Sequence, residues 1–340
     1  MAEREVIILT DYKNRYYTGL SDSYIRAFER KGYKCFPISF KVNPKLYVLF
    51  GRLSLSLLRS YLSYHQEFIK KTILSLGSRL IFVIKGFYML PETIMELRNA
   101  NKVVFCFYPD DPFSRNTRSS SNSFVKECIP SYDYYFLWSK HLMKKVNSLL
   151  QLGVYYLPFA ADPQIIYPIH SKIPTIDFSF IGNADEERLN KVSKVFELMT
   201  GTDYKGSLYG EGWEKIFKNY DSGLIENVKF LETIGATKVN LNILRMQNKS
   251  SHNMRTFEIP AAGGFMLHEY SEEAAEFFNE GKEAEFFRDI EECADKIKFY
   301  SDNDSLRNSI LEKGHRKIFS AKHTYDDRVD TILNIVNDGQ

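Results

Sequence analysis

The segment SHNMRTFEIPAAGGFMLHEYSEE, residues 251–273, contains the transition that decides the fold. A run of helical periodicity over residues 254–262 leads into Gly263, which suits the end of a helix because glycine readily adopts the left-handed conformation found there. Gly264 then lets the chain turn into a short apolar strand at residues 265–268. A helix that passes directly into a buried strand is the repeating unit of a parallel α/β sheet.

The same alternation of short apolar runs and helical segments continues along the whole chain. In the first half it predicts strands at residues 6–9, 35–38, 80–84, 103–107 and 134–137. In the second half it predicts strands at residues 178–181, 207–209, 228–230, 239–243, 265–268 and 284–287. This pattern is typical of parallel sheets that are covered by helices.

The length of 340 residues exceeds the usual size of one hydrophobic core, so we expect two domains. Residues 157–172, LPFAADPQIIYPIHSK, contain three prolines and no periodicity, and we place the join there. Open parallel sheets bind ligands beyond the carboxyl ends of their strands. Two such sheets therefore predict a ligand site in a cleft shared by the domains.

Charge is unevenly distributed: basic residues predominate in the first half and acidic residues in the second. The basic half suits an anionic lipid surface or a phosphorylated acceptor, or is simply an uneven solvated surface. A helical segment at residues 53–75 fits either a membrane surface or a core helix with a basic outer face. The most apolar stretch, residues 46–58, contains Arg52 and is too short to span a bilayer.

The four cysteines are far apart and form no CxxC pair, which indicates reduced, cytosolic usage. We therefore expect a cytoplasmic protein, soluble or peripheral at the inner face of the membrane. Asp302-Asn303-Asp304 matches a DxD motif, but it lies between two predicted helices and fits a turn and helix cap. We predict no metal site and no cofactor. The aromatic residues are not interleaved with basic ones, so nucleic acid is not an expected partner.

The opening segment also contains a candidate binding site. Ser250, Ser251 and Asn253 are good N-cap residues for the helix that follows, whose free N–H groups would face an anion. Arg255 in the first turn suits a phosphate, and Glu258 lies one turn deeper on the same face, where it suits a ribose diol. The alternative is an ordinary salt bridge between the two within the helix.

His252 precedes the same helix and is a candidate hydrogen-bond donor to a departing phosphate, or an ordinary loop histidine. In the first half, Asp110 and Asp111 follow a predicted strand and offer a general base or a contact to the donor sugar; the alternative is a turn at Asp-Pro. Adjacent residues of an extended chain point in opposite directions, so we expect only one of the two to face a ligand. Lys85 ends a second strand on the same rim and suits a phosphate or the acceptor, or is simply exposed.

Residues 254–329 resemble the C-terminal domain of GT-B glycosyltransferases, specifically the CgeB-like, spore-maturation-type family. The resemblance lies in the Arg-x-Phe-Glu pattern from Arg255, the Gly263-Gly264 pair, the FNEGKE motif at 278–283 and the HTY motif at 323–325. FSFIGNADEER, LYGEGWE and NVKFLETIGATKVNLNI are similar to earlier parts of that domain. In the first half, FVIKGFYMLPETIMELR, FYPDDPF and YYFLWSKHL also fit the family.

This resemblance implies a GT-B fold, with two facing Rossmann-like domains, parallel sheets and a deep interdomain cleft. It implies an acceptor domain at 1–165, a donor domain at 166–325 and a final helix, 326–340, that packs back toward the first domain. It also implies that Glu258 binds the donor ribose, that Arg255 binds the diphosphate, and that the Gly182-Asn183 loop approaches the phosphates or the sugar.

One position departs from the wider GT-B pattern of two glutamates separated by seven residues. The residue eight before Glu258 is Ser250, so a retaining mechanism that relies on the earlier carboxylate has no support here, and the stereochemical outcome stays open. We retain Ser250, His252 and Asn253 as candidate donor-binding residues.

The function implied is a metal-independent hexosyltransferase that moves a sugar from a UDP-sugar or dTDP-sugar to a hydroxyl acceptor. The acceptor would be a cell-surface, lipid-linked or protein glycan, reached with a peripheral membrane contact through the basic first half. Two alternatives remain: a GT-B-fold sugar-nucleotide epimerase, and a non-catalytic assembly factor that binds a nucleotide or glycan.

Overall fold

The computed structural model describes residues 4–10, 19–40, 42–114, 121–150, 153–169, 174–213, 217, 223, 225 and 227–338. The strands are β1 Glu5–Thr10, β2 Lys34–Ser39, β3 Leu80–Ile84, β4 Val103–Tyr108, β5 Tyr134–Leu137, β6 Tyr155–Tyr156, β7 Ile176–Ile181, β8 Gly206–Tyr209, β9 Thr237–Asn242, β10 Met266–Glu269 and β11 Glu285–Phe287. The helices are α1 Leu20–Arg30, α2 Pro44–Leu53, α3 Leu55–Ser75, α4 Pro91–Asn99, α5 Ser123–Cys128, α6 Lys140–Leu150, α7 Glu186–Met199, α8 Asn227–Ala236, α9 Arg255–Ala261, α10 Glu272–Phe277, α11 Ile290–Asp302, α12 Asp304–Ser320 and α13 Tyr325–Asp338.

The chain divides into two compact units, each built around one sheet. The first unit includes β1, Gly19–Pro158 and Val329–Gln340, and its six strands run in the order β2-β1-β3-β4-β5-β6. The second unit includes Phe159–Arg328, and its five strands run in the order β11-β10-β9-β7-β8. Neighbouring strands are parallel throughout both sheets.

Burial explains why short apolar runs form the strands. β4 is buried at all six positions and β1 at five of six, because helices cover both faces of a parallel sheet. The predicted strands therefore appear within about two residues of their expected bounds, with one exception. The predicted strand at 228–230 is wrong, since these residues form the first turn of α8.

The apolar residues of that segment follow a helical repeat. Phe230, Leu231 and Ile234 are buried, whereas Val228 is 52% exposed. Positions i, i+1 and i+4 share one face of a helix, but the short run Val228-Lys229-Phe230 alternates apolar and polar residues and imitates a strand when read alone. β6 was not predicted because a strand of two residues leaves no periodic signal.

The predicted helix at 53–75 is divided in two. Ser54 separates α2 from α3 and caps α3, its Oγ accepting a hydrogen bond from the N–H of Leu57 at 3.1 Å. α2 contains no buried residue. Among the described helices, none combines the length and the apolar character that a membrane crossing requires.

One helix contributes to both units. α13 begins in the second unit, and its residues from Val329 onward belong to the first. Lys31 Nζ donates to Asp330 Oδ2 at 2.5 Å, and the Tyr134 hydroxyl donates to the Val336 carbonyl at 3.4 Å. The last part of the chain is therefore tied to α1 and β5.

Candidate functional site

The start of α9 lies beside the carboxyl end of β9. Asn253 Oδ1 accepts a hydrogen bond from the N–H of Thr256 at 3.1 Å, and Thr256 Oγ1 accepts one from the N–H of Asn253 at 3.2 Å. Of the three predicted capping residues, Asn253 reaches the helix in this way. The helix has seven residues, so its dipole adds little, and the argument for an anion site has to rest on side chains.

A buried polar network fixes α9 to the sheet. The amides of Asn242 and Asn253 pair at 2.8 and 3.1 Å, and Asn242 Nδ2 also donates to Thr256 Oγ1 at 3.2 Å. Thr256 Oγ1 lies 2.8 Å from Nε2 of His268 on β10. Burial lowers the pKa of His268 to about 4, so the ring is neutral and accepts the threonine proton. The network therefore holds the first turn of α9 rigidly at the sheet edge.

Arg255 and Glu258 form the predicted pair. Arg255 Nη1 donates to Glu258 Oε2, and Arg255 Nε lies 3.5 Å from the Ile181 carbonyl at the end of β7. The guanidinium also stacks over the ring of Phe230, 4.4 Å from its centroid. The salt bridge considered from the sequence is thus present, and its geometry brings both side chains to the carboxyl edge.

Two further arginines, not predicted from the sequence, lie at this edge. Arg188 in the first turn of α7 donates through Nε to the Ile243 carbonyl at 3.1 Å and is 8% exposed. Its pKa is lowered to about 10, mainly by burial and also by the positive charges of Arg245 and Arg255, while Asp185 and Glu269 act in the opposite direction. Arg245 Nε lies 3.1 Å from Asp185 Oδ2. Three guanidinium groups therefore converge where an anion would relieve their mutual repulsion.

The Gly182-Asn183 loop forms the side of this cluster nearest β8. The Gly182 N–H donates to the Tyr209 carbonyl at 2.9 Å, and Asn183 Oδ1 accepts from the N–H of Glu211 at 3.1 Å. A Cβ at Gly182 would lie 3.0 Å from the Phe180 ring and 3.4 Å from Arg188 Nη1, so the glycine lets the loop lie close to both side chains. This contact is the signal that links Arg188 to the glycine loop, six residues earlier in the chain.

His252 and Ser250 lie differently from what the sequence indicates. The His252 ring is fully buried, with Nε2 accepting from the Phe159 N–H at 3.1 Å and Nδ1 lying 3.1 Å from Ser251 Oγ. Phe257 and Phe277 pack edge-on against it. A phosphate contact would require these bonds to break, so the geometry favours the structural interpretation. Ser250 is exposed in the preceding turn.

In the first unit, Lys85 and Asp110 meet at the carboxyl ends of β3 and β4. Lys85 Nζ lies 2.9 Å from Asp110 Oδ2, and both side chains are mostly buried. Lys85 has a φ of +73°, a left-handed conformation that is strained for a non-glycine residue. Its N–H donates to the Phe107 carbonyl at 2.9 Å, which fixes that conformation. Strain of this kind concentrates at functional sites.

Asp111 has a different environment from its neighbour. Its Oδ1 accepts a hydrogen bond from the N–H of Phe113 at 2.8 Å, which closes a turn around Pro112. Lys145 Nζ lies 4.0 Å from Oδ2. The two aspartates thus diverge as expected for adjacent residues, with Asp110 at the lysine and Asp111 in the turn. Among the described residues, no cluster of three or more His, Cys, Asp or Glu side chains is arranged to hold a metal.

Comparison with known proteins gives a family match over part of the chain and structural matches over nearly all of it. Residues 188–334 match a family model described as glycosyl transferase-like. No curated protein matches the chain. Sucrose-phosphate synthase from Thermosynechococcus elongatus has a similar structure, with 12% identity, a TM-score of 0.69 and coverage of 98% of this chain and 99% of that one.

A glycosyltransferase from Rickettsia africae is similar over 99% of both chains, with 11% identity and a TM-score of 0.67. A DNA-modifying β-glucosyltransferase, solved with and without uridine diphosphoglucose, has 13% identity, a TM-score of 0.60 and coverage of 98% and 99%. A TarM variant from S. aureus, solved with UDP, has 13% identity and a TM-score of 0.59 over 79% of this chain. The chain spans only 58% of the length of that TarM chain.

These similarities show the fold. The chain is an α/β protein with two parallel sheets, and its neighbours over nearly the whole length are GT-B glycosyltransferases, which confirms the predicted fold class. The CgeB-like subfamily and the shared cleft stay predictions.

Proposed function

We propose that this protein is a glycosyltransferase that moves a sugar from a nucleoside diphosphate sugar to a hydroxyl acceptor. The placement of Arg188, Arg245 and Arg255 at the carboxyl edge of the second sheet carries this proposal: Arg188 and Arg255 contact the carbonyls of Ile243 and Ile181, and Arg188 and Arg245 share Asp185. Open parallel sheets bind nucleotides at this edge. The glycosyl transferase-like match begins at Arg188, and neighbours solved with UDP or uridine diphosphoglucose support the same class of donor.

The arginines are proposed to hold the diphosphate. Guanidinium groups form paired hydrogen bonds with phosphate oxygens, and Arg188 has two Nη atoms for which the described residues provide no hydrogen-bond acceptor. Negative charge grows on the diphosphate as the bond to the sugar breaks. Fixed positive charges in a partly buried site stabilise that charge, so the same contacts that bind the donor accelerate transfer.

Glu258 is proposed to bind the ribose. Its side chain is 6% exposed, and one carboxylate oxygen accepts a hydrogen bond from Arg255. The other oxygen remains able to accept a hydroxyl of the ribose diol. Arg255 would then join the ribose and phosphate contacts, with the Gly182-Asn183 loop alongside the phosphates or the sugar. Asn253 takes part indirectly, by holding the first turn of α9. Ser250 and His252 are weaker candidates on this geometry.

In the first unit, Asp110 is proposed as the general base of an inverting transfer, and Lys85 as the residue that positions it or contacts the acceptor. The 2.9 Å contact between them supports this pairing. A carboxylate can take the proton of an attacking hydroxyl when its geometry is fixed. Asp111 is the less suitable base because its carboxylate is engaged in a turn.

The finer assignments belong to the same proposal. We propose a hexosyltransferase that uses UDP-sugar or dTDP-sugar, with arginines rather than a metal ion neutralising the diphosphate. The acceptor is a glycan, and the basic first half favours a lipid-linked one. The four cysteines are free, which fits work in a reducing compartment at the cytoplasmic face of a membrane.

The first test is a thermal-shift panel of nucleotides and nucleotide sugars on the wild type and on Glu258→Ala. A site filled at 100 times its dissociation constant stabilises the fold by about 2.7 kcal/mol, which gives a measurable shift. We expect one nucleoside diphosphate series to stabilise the wild type and not the variant. A flat panel with well-folded protein would contradict the proposal.

Turnover assays separate the alternatives. Transfer to an acceptor with release of nucleoside diphosphate supports the glycosyltransferase. Conversion of the donor to free sugar without an acceptor would instead indicate an epimerase. Saturable binding with no turnover across several acceptors would indicate an assembly factor.

A further inference from the structure

The first unit exposes an unusual amount of apolar surface on two consecutive helices. Among the residues that the structure describes, nineteen large apolar side chains are exposed, and nine of them belong to residues 46–74: Leu46, Val48, Leu49, Leu53, Leu55, Leu57, Tyr64, Phe68 and Leu74. Tyr64 is 83% exposed and Phe68 75%. Contiguous apolar surface of this extent on a folded protein marks an interaction site.

The exposed side chains form ordered stripes. On α2, Leu46, Leu49 and Leu53 lie at spacings of three and four and share one face, with Lys45 and Arg52 along its border. Tyr47 and Phe50 face the other way and pack against a buried cluster. The helix therefore has a buried aromatic side, an exposed leucine stripe and a basic edge.

The exposed side of α3 has a similar composition. Leu57, Tyr64 and Phe68 lie at spacings of seven and four, so they share one face, and Lys71 follows three residues later. We call the leucine stripe of α2, this side of α3 and the cations Lys45, Arg52 and Lys71 the α2–α3 face. Tyr64 and Phe68 also line a cavity of about 770 Å³ next to the end of β2.

Charge distinguishes this surface from an ordinary apolar patch. Between Glu29 and Glu67 the chain has no acidic residue and seven basic ones: Arg30, Lys31, Lys34, Lys41, Lys45, Arg52 and Arg59. Arg59 is paired with Glu92 and Glu127. Within the part of the chain that the structure describes, Lys45, Arg52 and Lys71 form no ion pair. Lys71 interacts with Glu67, whose pKa Lys70 and Lys71 lower, so it is the charges of Lys45 and Arg52 that are available to an anionic partner.

We infer that the α2–α3 face binds the surface of an anionic phospholipid bilayer, with its apolar side chains inserted at the headgroup boundary. Helices with apolar stripes and basic borders lie in this interface. Lysine and arginine reach lipid phosphates while their apolar stems stay with the leucines. A second copy of the chain is a poorer occupant, since two identical basic surfaces repel each other.

This inference deepens the proposed function, because it places the enzyme where a lipid-linked acceptor is found. Its test needs neither donor nor acceptor. Vesicle binding and nucleotide binding can therefore fail separately, and the failure of one does not decide the other.

The experiment is co-sedimentation of the full chain with vesicles of phosphatidylcholine alone or mixed with phosphatidylglycerol. We expect clear binding to the mixed vesicles and little to phosphatidylcholine. Lys45→Gln/Arg52→Gln should weaken binding to the mixed vesicles about 30-fold, since each basic side chain near an anionic surface contributes about fivefold. Leu49→Asp/Leu53→Asp should weaken it at least about tenfold by removing apolar insertion.

Leu306→Asp/Phe319→Asp on α12 is the matched control, since those side chains are 43% and 47% exposed and lie in the second unit. It should bind like the wild type. Because α2 has no buried residue, its variants should keep the wild-type melting temperature. Wild type that stays in the supernatant, or equal loss in the control, would overturn the inference. A different outcome would assign the α2–α3 face to a second copy of the chain. In that case the wild type is a dimer in light scattering and does not bind vesicles, and Leu49→Asp/Leu53→Asp dissociates the dimer.

Discussion

The carboxyl edge of the second sheet and that of the first sheet differ in how their polar groups are held. In the second, Asn242, Asn253, Thr256 and His268 form a closed buried network beneath three arginines. In the first, Lys85 forms an ion pair with Asp110 at 2.9 Å, and Lys145 lies 4.0 Å from Asp111. The helices after β2 expose apolar and basic side chains instead of burying them.

This difference fits a division of labour between a donor and an acceptor. A diphosphate is a small, strongly charged group, and rigid cationic side chains bind it best because little reorganisation is needed. An acceptor glycan varies more in shape. If it is linked to a lipid, the enzyme also needs a surface that binds the membrane. The proposed donor side is therefore held in place by buried polar side chains, whereas the proposed acceptor side relies on exposed ones.

The largest expected effect is at the arginine cluster. Arg188→Ala should lower kcat/KM for the best nucleotide sugar by about 1000-fold, because it removes a buried charge from the developing diphosphate. Arg316→Ala, on the exposed side of α12, is the control and should leave kcat/KM unchanged. Because Arg188 also bonds the Ile243 carbonyl, a melting curve should accompany each variant. Comparable rates for both variants would remove the basis for calling this edge the donor side.

The buried histidines should make the second unit sensitive to acid. His268 and His323 both have pKa values lowered to about 4 by burial. In the unfolded chain they take up protons below about pH 6.5, so the free energy of unfolding falls as the pH falls from about 6.5 to about 4. For His268 alone, the free energy of unfolding falls by about 3 kcal/mol between about pH 6.5 and about pH 4.

Fluorescence separates the two units in this measurement. The chain has two tryptophans, and both are buried: Trp138 in the first unit and Trp213 in the second. Urea unfolding of Trp138→Phe reports the second unit, and adding His268→Gln should weaken its dependence on pH and leave the contribution of His323. A free energy that does not change between pH 7 and pH 5 would show that the network is not closed as described.

The two adjacent aspartates offer a sharper comparison within the first unit. Asp110→Asn should lower kcat about 100-fold with little change in stability, as expected for loss of a general base. Asp111→Asn should leave kcat within a few-fold and cost up to about 1 kcal/mol, since its carboxylate holds a turn. Steady-state kinetics and melting curves on both variants measure this. Reversed results would transfer the proposed base to Asp111.

The smallest expected effect compares two glycines, one at each edge. Gly86 has a φ of +57°, and an added Cβ would meet the end of the Tyr132 side chain at 2.7 Å. Gly210 has a φ of +133°, and its Cβ would meet the Gly182 carbonyl oxygen at 2.2 Å. Because backbone cannot move aside as a side chain can, Gly210→Ala should destabilise more than Gly86→Ala, by about 1 kcal/mol. Thermal unfolding of the pair decides this.

Much of the fold was predictable because parallel strands are buried on both faces and leave short apolar runs. Ten of the eleven observed strands match such runs. The failure at residues 228–230 arose because the first turn of α8 alternates Val228, Lys229 and Phe230, which is also the pattern of a short strand. Arg188 could not be recognised because its relation to Gly182 and Ile243 exists only once α7 has packed against the sheet.

The site residues show the same limit. Arg255 and Glu258 were found because both lie within one turn of a helix, where spacing fixes proximity. His252 seemed accessible in the sequence, but its burial depends on Phe159, Phe257 and Phe277, which come from separate segments. Lys85 and Asp110 were placed on one rim by strand ends, and their contact needed the order of β3 and β4 in the sheet.

The sharing of α13 between the units has a consequence for synthesis on the ribosome. The first unit contains Val329, Ile332 and Val336, all fully buried, so it cannot close until these residues have been synthesised. The second unit needs nothing beyond Arg328 and can be completed earlier. Domains usually mature in the order in which they are made. Here the unit whose residues emerge first is expected to mature last, and a nascent chain that stalls just after residue 328 would have a complete second unit and an incomplete first one.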